Sequence, residues 1–306
     1  MSTLFQTLGA VGLVTDGGVR DLSGVHERAP GFQLFASGVV VSHGVPTIVS
    51  VGRPVTISGM NIEPGDLLHG DANGLVKIPL TIADRVAAQA ALTKKLKAIL
   101  NVPVLGEEML TGEQHALWQS GNDGLWCIDP IDGTSNYVRG LPYFAVSVAL
   151  LRKGRSVLGV VYDPVADEVF AAESGKGAFL NGVVLAKREA PELLQMALAN
   201  VDLKHLDAKL ATQLVSHPPY SSQRNFGASA LDWCYTATGR YDVYLHGGQK
   251  LWDYAAGILI LLEAGGYACG IENDDFAKCD IWQRSVIAAS DKKLFDAWKN
   301  WIRTQQ

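Results

Sequence analysis

Asp129-Pro130-Ile131-Asp132-Gly133-Thr134 follows directly on a short apolar run, Leu125-Trp126-Cys127-Ile128. The apolar run predicts a buried strand, and the Pro and Gly that follow predict a turn at its end. Such a turn can point two carboxylates and a main-chain carbonyl at one place, which a regular strand could not. Magnesium prefers hard oxygen ligands of this kind. The stretch therefore predicts a metal site where a buried strand ends.

Two further acidic motifs lie outside this stretch. Gly106-Glu107-Glu108 precedes it, and Trp252-Asp253 follows it far along the chain. An Asp-Pro or Asp-Gly pair taken alone is usually an ordinary turn, so the prediction depends on the combination. A third carboxylate from Glu107 and a fourth from Asp253 would complete a site for two or three divalent ions. Such a site can activate water and stabilise a leaving oxygen.

Residues 129–137 as a whole closely resemble a known signature. Asp-Pro-Ile-Asp-Gly-Thr-Ser-Asn-Tyr is similar to the first signature of the inositol monophosphatase family, within the lithium-sensitive, magnesium-dependent phosphatase superfamily. Residues 252–257, Trp-Asp-Tyr-Ala-Ala-Gly, resemble its second signature, and residues 106–108 its upstream metal-binding triplet. The resemblance covers about residues 80–292. It implies an α/β (α+β) fold, a layered αβαβα sandwich, for residues 80–306.

The resemblance implies a set of metal ligands, position by position. Glu107, Asp129 and the carbonyl of Ile131 would hold a first magnesium ion. Asp129, Asp132 and Asp253 would hold a second, and this is the position at which the family resemblance implies inhibition by lithium. The expected cofactor is therefore Mg²⁺, as two or three ions.

The resemblance also implies which groups act on water and on phosphate. Thr134, with Glu107, would orient the attacking water, since a Thr hydroxyl can donate to a carboxylate while accepting from water. Phosphate would lie against the N–H groups of Gly133 and Thr134, at the start of a helix. Thr81-Ile82-Ala83-Asp84 has two compatible interpretations. One is a helix-capping pattern; the other is the family's Thr-x-x-Asp, in which Asp84 supports the catalytic Thr and a third metal ion.

The substrate side is predicted from a second group of residues. Residues 225–230 resemble the family segment that meets the organic part of the substrate, so Gly227, Ala228 and Ser229 are candidates together with Asp132. His246 stands where animal inositol enzymes carry a Glu that binds ring hydroxyls. A lone His is more often a surface or hydrogen-bonded core residue, whereas its place beside the second signature favours substrate contact. Both interpretations stay open. The presence of His in place of Glu concerns binding of the inositol ring and not hydrolysis of the phosphomonoester.

Composition excludes several classes of protein. Among 306 residues, 26 Lys and Arg stand against 31 Asp and Glu, and a charge of −5 argues against a nucleic-acid surface. The four cysteines are widely spaced without a CxxC pair, which indicates reduced thiols in a cytosolic protein. No export signal or membrane-spanning run is recognised. We expect a cytoplasmic protein without nucleic-acid or membrane partners, and the family resemblance implies a homodimer.

The sequence before residue 80 has a different character, rich in Gly and Val. Short runs of β-branched residues predict three strands and a hairpin. The strands are expected at 12–16, 38–42 and 47–51, and the hairpin joins 67–69 to 76–78 through Ala72-Asn73-Gly74. A 3.6-residue period then predicts helices over 80–100 and 294–302.

This front segment carries a second resemblance. Residues 12–21 and 64–71 resemble the C-terminal half of the family that includes the regulator of ribonuclease activity A and 4-hydroxy-4-methyl-2-oxoglutarate aldolase. In complete members an Arg-Asp pair, here Arg20 and Asp21, grips a 2-oxo acid and magnesium. The alternative is a surface turn with an internal ion pair, which the absence of the family's N-terminal half favours. The site would then be vestigial.

The chain thus resembles a fusion of a partial aldolase-like, β-rich segment, residues 1–79, with a phosphatase domain, residues 80–306. The expected activity is magnesium-dependent hydrolysis of a small phosphomonoester by metal-activated water, with inositol-1-phosphate or a related sugar or polyol phosphate as substrate. Histidinol phosphate and 3′-phosphoadenosine nucleotides are alternative substrates. A regulatory binding protein with an inactive metal site and a 4-hydroxy-2-oxo acid aldolase are alternatives of other classes.

Overall fold

The computed structural model describes residues 2–41, 51–71, 74–78, 94–107, 109 and 111–305. The chain forms two compact units, residues 1–92 and 93–306. The predicted junction near residue 80, most of the helix predicted over 80–100, and residues 47–50 of the strand predicted over 47–51 lie outside the described residues. Residues 94–99 are helical, as predicted for that end of the segment.

In the described part of the first unit, short strands combine with two helices. Strands β1, Gly12–Val19, and β2, Gln33–Val39, pair in parallel through a connection that contains α2, Leu22–Arg28. The other elements are α1 (Ser2–Thr7), the hairpin β3 (Val55–Ile57) with β4 (Met60–Ile62), and the hairpin β5 (Leu67–Asp71) with β6 (Gly74–Ile78).

Three of the predictions for this unit can be compared with the structure. The strand at 12–16 and the pairing of 67–69 with 76–78 are confirmed. The strand predicted over 38–42 is misplaced, because β2 already ends at Val39. Helix α2 was not predicted: the β-branched runs on each side gave no signal for it. Its start is set by Asp21, whose carboxylate accepts a hydrogen bond from the N–H of Gly24.

The second unit contains a seven-stranded sheet in the order β13-β12-β11-β10-β9-β8-β7. All neighbours are antiparallel except β7 and β8, which are parallel. The strands are β7 (Val104–Gly106), β8 (Leu125–Asp132), β9 (Ala145–Arg152), β10 (Arg155–Asp163), β11 (Glu168–Glu173), β12 (Ala178–Leu180) and β13 (Val183–Val184).

A second sheet of five strands follows, in the order β15-β14-β16-β18-β17. Strand β14 is parallel to both β15 and β16, and β18 is antiparallel to β16 and β17. The strands are β14 (Leu198–Asp202), β15 (Ser222–Arg224), β16 (Val243–Gln249), β17 (Tyr267–Cys269) and β18 (Arg284–Ala289).

Helices pack on the faces of these sheets. They are α3 (Thr111–Ser120), α4 (Thr134–Arg139), α5 (Ala208–Ser216), α6 (Ser229–Ala237), α7 (Leu251–Glu263) and α8 (Lys292–Thr304). One core lies between the two sheets and includes α6 and α7; a second joins the outer face of the five-stranded sheet to α5 and α8. Alternate residues of β16 pack into different cores, because successive side chains of a strand point to opposite faces. Tyr244 packs into the first core and Leu245 into the second.

This arrangement is the layered α/β sandwich that the sequence predicted. The terminal helix is also confirmed: Leu294, Trp298 and Ile302 are buried at helical spacing, and Asp291 caps the first turn. Within the described part of the chain, no helix has the length and apolar character needed to cross a membrane.

Candidate active site

A bulge in β8 shapes the centre of the site. The sequence predicts that the chain leaves its strand after Ile128, but β8 continues through Asp132. Asp129 pairs with Ser147 and Asp132 with Ala145, so three steps along β8 match two along β9. Such a bulge redirects side chains without ending the strand, and Pro130 fits it because Pro offers no N–H to the ladder. The predicted turn is therefore wrong, and the bulge in its place brings the carboxylates of Asp129 and Asp132 together.

The third carboxylate comes from the first turn of α7. Asp253 accepts a hydrogen bond from the N–H of Lys250 at 2.8 Å, which caps the helix. Carboxylate oxygens of Asp129, Asp132 and Asp253 all lie within 4.8 Å of one another. Asp129 and Asp132 are buried and Asp253 partly so. Three of the predicted acids, from two separate motifs, thus meet at one place, which we call the carboxylate cluster.

The electrostatics of the carboxylate cluster favour a cation. Burial, and then the neighbouring Asp129 and Asp253, raise the pKa of Asp132 well above its usual range. Burial also raises the pKa of Asp253. Within the described ranges, neither of these two carboxylates forms an ion pair with Lys or Arg. Hard oxygen donors that repel one another in a buried place fit a divalent ion such as magnesium.

Backbone groups and one hydroxyl complete the surroundings. The N–H of Ile131 donates to Asp129 at 3.0 Å, and the N–H of Ala230 donates to Asp132 at 2.7 Å. The Thr134 hydroxyl donates to the carbonyl of Ile131 at 2.9 Å. Gly133, with φ of 85°, turns the chain into α4 in a conformation that suits glycine. The helix predicted to begin here is confirmed.

Glu107 lies just beyond the end of β7. Gly106 pairs in parallel with Ile128, so Glu107, just after β7, and Asp129, within β8, lie at the same level. Gln114 holds the backbone at the end of β7 by donating to the carbonyls of Gly106 at 2.9 Å and Glu107 at 3.1 Å. Glu107 is exposed and is not part of the carboxylate cluster. Asp84, the other predicted catalytic acid, lies outside the described residues.

The predicted substrate segment lies against the site. A Cβ placed on Gly133 would lie 3.1 Å from Cβ of Ala228 and 3.4 Å from the carbonyl oxygen of Gly227. Asn136 ties the two segments together by donating to the carbonyl of Phe226. Ser229 then begins α6, whose first turn supplies the N–H that binds Asp132. The structure therefore brings these predicted residues to one side of the carboxylate cluster.

His246 occupies a buried position beside a group that the sequence reasoning missed. Its Nε2 lies 3.3 Å from Oδ2 of Asp202, and its Nδ1 accepts a hydrogen bond from the N–H of Gly248 at 3.0 Å. Nδ1 of His205 lies 3.1 Å from the other Asp202 oxygen, and the two imidazoles stack with centroids 4.9 Å apart. The sequence held no strong signal for this group, because only Asp202 and His205 are close along the chain.

A second missed group surrounds Asp232, on the buried face of α6. Tyr143 donates to this carboxylate at 2.8 Å, and the hydroxyls of Tyr143 and Tyr241 are 3.3 Å apart. Burial raises the pKa of Asp232 to about 7. Nothing in the local sequence marks this Asp, since it stands in a helix of mostly apolar residues.

Asp21, in the first unit, has local partners. Its carboxylate caps α2 and lies 2.5 Å from the guanidinium of Arg28, in an exposed pair. Its own backbone is in the left-handed region, with φ of 55°. Asp21 is thus paired with Arg28 outside the Arg20-Asp21 motif and caps a helix, and the vestigial site stays a prediction.

Comparison with known proteins covers most of the chain. Residues 65–303 match the model of the inositol monophosphatase family. The chain belongs to the inositol monophosphatase family. Residues 1–77 of this family member match a different model, Aldolase/RraA. Both predicted resemblances, and their order along the chain, are confirmed.

Relatives of this inositol monophosphatase family member carry different names. It is 41% identical to Nus factor SuhB of Pasteurella multocida over 167 residues, which are 53% of this chain and 62% of that protein. It is 38% identical to the inositol-1-monophosphatase of Rhizobium meliloti over 198 residues, 62% of this chain and 71% of that protein. The crystal structure of extragenic suppressor protein suhB from Bartonella henselae superposes with a TM-score of 0.61 and 27% identity, over 78% of this chain and 89% of that one.

Proposed function

We propose that this chain catalyses magnesium-dependent hydrolysis of a small phosphomonoester by attack of water. The observation that carries the proposal is the carboxylate cluster: three oxygen donors from β8 and α7, held within 4.8 Å of one another in a protein of the inositol monophosphatase family. Magnesium supplies Lewis-acid chemistry at such a site, lowering the pKa of water and offsetting negative charge on the departing oxygen.

Particular residues have proposed roles in holding the ions. Asp129, Asp132 and Asp253 would bind one ion, and Asp129, Glu107 and the carbonyl of Ile131 another. Backbone N–H groups already orient the carboxylates of Asp129 and Asp132, so little side-chain entropy is lost when an ion binds. The raised pKa values of the cluster mean that protons compete with metal at low pH.

Thr134 and Glu107 would orient the attacking water, with Asp84 in support. The Thr134 side chain is exposed beside the carbonyl of Ile131, and a hydroxyl can both donate and accept. The transferred group would rest against the N–H groups of Gly133 and Thr134. The reaction would be direct attack on phosphorus, without a covalent bond to the protein.

The organic part of the substrate would meet Gly227, Ala228, Ser229 and the region of His246. A polyol or sugar phosphate, with inositol-1-phosphate first, is the proposed substrate because a relative 38% identical is named an inositol-1-monophosphatase. Histidinol phosphate and 3′-phosphoadenosine nucleotides would use the same metal-binding carboxylates. They are the substrates to compare first.

A regulatory binding function is the second candidate. It is favoured by the name Nus factor SuhB that several relatives carry. In that case the carboxylate cluster would bind metal without catalysing hydrolysis. An aldolase activity of the front segment is less well supported, because Asp21 is engaged with Arg28 and with the start of α2.

A phosphate-release screen tests the proposal. The full chain is assayed over inositol-1-phosphate, other polyol phosphates, histidinol phosphate, a 3′-phosphoadenosine nucleotide and an aryl phosphate, with and without magnesium. Turnover of a polyol phosphate that requires magnesium and is inhibited by lithium is the expected result. A chain that binds magnesium but hydrolyses none of these compounds would favour the regulatory function. Pyruvate release from a 4-hydroxy-2-oxo acid would instead support the lyase.

A further inference from the structure

The carboxylates of the cluster belong to different parts of the chain. Asp129 and Asp132 share strand β8, so the bulge fixes one relative to the other. Asp253 comes from the first turn of α7 instead. Asp132 is also held from outside its own strand, by the N–H of Ala230 in the first turn of α6. The distance between Asp132 and Asp253 therefore depends on how α6 and α7 pack together.

Magnesium tolerates little error in this distance, because its ligands form a nearly regular octahedron at about 2.0–2.1 Å. The contact between the two helices lies one helical turn beyond each of these groups: Trp233 follows Ala230 in α6, and Gly257 follows Asp253 in α7. The Trp233 side chain packs so closely on Gly257 that a Cβ there would overlap it. The position of the Trp233 side chain thus sets the spacing of the two helices.

A buried hydrogen-bond chain holds that indole. Nε1 of Trp233 donates to Oε1 of Gln249 at 3.1 Å, and Nε2 of Gln249 donates to the Tyr244 hydroxyl at 2.6 Å. All three residues are fully buried. Gln249 ends β16 and directly precedes Lys250, whose N–H donates to Asp253 at 2.8 Å. One amide group therefore joins α6, β16 and the beginning of α7.

The Gln249 amide does more than fill space. Burial of an amide is unfavourable unless its oxygen and nitrogen find partners, and here both do. The indole N–H is a directional donor, so the amide oxygen selects one orientation of the Trp233 ring. A side-chain hydrogen bond between Ser229 and Tyr244 extends the chain to the first residue of α6. The network thus holds α6 at two points, Ser229 and Trp233.

We propose that Gln249 is a positioning residue for the metal site. Through Trp233 it holds α6, which orients Asp132, at a fixed distance from α7, which carries Asp253. Gln249 is not among the proposed ligands and acts only through these two helices. The inference rests on the proposed function, because it takes the carboxylate cluster as the place where magnesium binds. Loss of the amide should therefore weaken magnesium binding.

The test is calorimetric titration of magnesium into the full chain after its metal has been removed with a chelator. Gln249→Met replaces the amide by an apolar side chain of the same length. The matched control is Gln223→Met in β15, since Gln223 also accepts from a tyrosine, Tyr220 at 2.9 Å, and donates to a carbonyl, that of Val201 at 3.1 Å. Gln249→Met should raise the magnesium dissociation constant about tenfold, and Gln223→Met should leave it within about twofold. Both variants should have a lower melting temperature, because each loses two hydrogen bonds.

Tyr244→Phe tests the same connection with a smaller change, and it decides the question if Gln249→Met does not fold. It should raise the dissociation constant about threefold. The double variant should bind magnesium no more weakly than Gln249→Met alone, because the two changes break one network. In phosphate-release kinetics the half-saturating magnesium concentration should rise in proportion, while kcat at saturating magnesium stays within about twofold.

The titration needs no turnover, so its result does not depend on which phosphomonoester is hydrolysed. A wild type that binds no magnesium would contradict the proposed function at its metal site, and the inference with it. A wild type that binds magnesium, beside a Gln249→Met variant with a lower melting temperature and an unchanged dissociation constant, would overturn the inference alone. Gln249 would then only stabilise the core. Equal weakening by Gln223→Met would also overturn it, since any buried amide would then have the same effect.

Discussion

Single residues with unusual surroundings carry most of the chemistry in this chain. The acids of the carboxylate cluster could be found from sequence because each stands in a motif, whereas Asp232, Asp202 and His205 could not. The two groups differ because a motif can be recognised only where several residues that are neighbours along the chain form one site. A buried Asp in the middle of a mostly apolar helix is created by tertiary packing alone, and its sequence neighbours are unremarkable.

Asp232 gives a prediction about pH. Burial raises its pKa from 3.8 to about 7, so the folded state holds this proton more tightly than the unfolded state. The resulting stabilisation is complete below pH 3.8 and is lost as the pH rises through about 7, at up to about 1.4 kcal/mol per pH unit. Asp232→Asn keeps an acceptor for Tyr143 and removes this dependence.

The measurement is the free energy of unfolding between pH 4 and pH 8 at constant magnesium. The difference between wild type and Asp232→Asn should fall across this range, and the exposed control Asp123→Asn should give a constant difference. A constant difference for Asp232→Asn as well would mean that Asp232 is ionised throughout.

At the scale of secondary structure, periodicity was a good guide wherever burial has one direction. The terminal helix is predicted for this reason, whereas the strand before Asp129 is predicted from an unbroken apolar run whose residues are all buried. The bulge of β8 was not, because Pro and Gly signal a turn and a bulge equally well, and only pairing with β9 decides between them. Helix α7 is mainly apolar over most of its circumference, so its burial between two sheets was visible only in the structure.

The contact between α6 and α7 gives the second prediction. A Cβ on Gly257 would overlap Cβ and Cγ of Trp233, which is fully buried. Gly257→Ala should therefore reduce the free energy of unfolding by about 1–3 kcal/mol. It should also reduce phosphate release, because Gly257 follows Asp253 by one helical turn and a displaced α7 moves that carboxylate. Chemical denaturation and initial rates measure the two effects.

Gly112→Ala is the matched control for this change. Gly112 lies in α3, and nothing lies within 4 Å of the place that a Cβ would take there. Alanine should therefore be neutral at this position or stabilising by up to about 1 kcal/mol. If both glycine variants had the same stability as the wild type, the tight contact between α6 and α7 would not exist in solution.

The whole molecule joins segments that match two family models, residues 1–77 and 65–303. Both resemblances could be predicted from short motifs, because residues 106–108, 129–137 and 252–257 resemble one family and residues 12–21 and 64–71 the other. The boundary between the two compact units, at residues 92 and 93, could not be predicted from motifs. A motif indicates where the resemblance to a family begins, and not where the chain makes few contacts with the rest of the protein. No step of the proposed hydrolysis uses a residue of the front segment.

This division gives a third prediction. Arg20→Ala combined with Asp21→Ala should leave phosphate release within about twofold of wild type. The double change removes an exposed ion pair, which contributes little, and the cap of α2, which contributes about 0.5–2 kcal/mol locally. Kinetics of phosphate release beside a melting curve provide the comparison. A double variant that is folded but inactive toward phosphomonoesters would show that the front segment takes part in catalysis.

The carboxylate cluster is tested most directly by the rate of phosphate release from inositol-1-phosphate as a function of magnesium concentration. Wild type and the exposed-site control Asp123→Asn should rise together from a negligible rate to the same plateau. Asp129→Asn, folded with an unchanged melting curve, should stay below about a tenth of that plateau at saturating magnesium, because a neutral amide is a weak ligand for a hard cation. Magnesium-independent turnover in the wild type, or an Asp129→Asn plateau close to that of the wild type, would contradict a metal-dependent phosphatase centred on these three carboxylates.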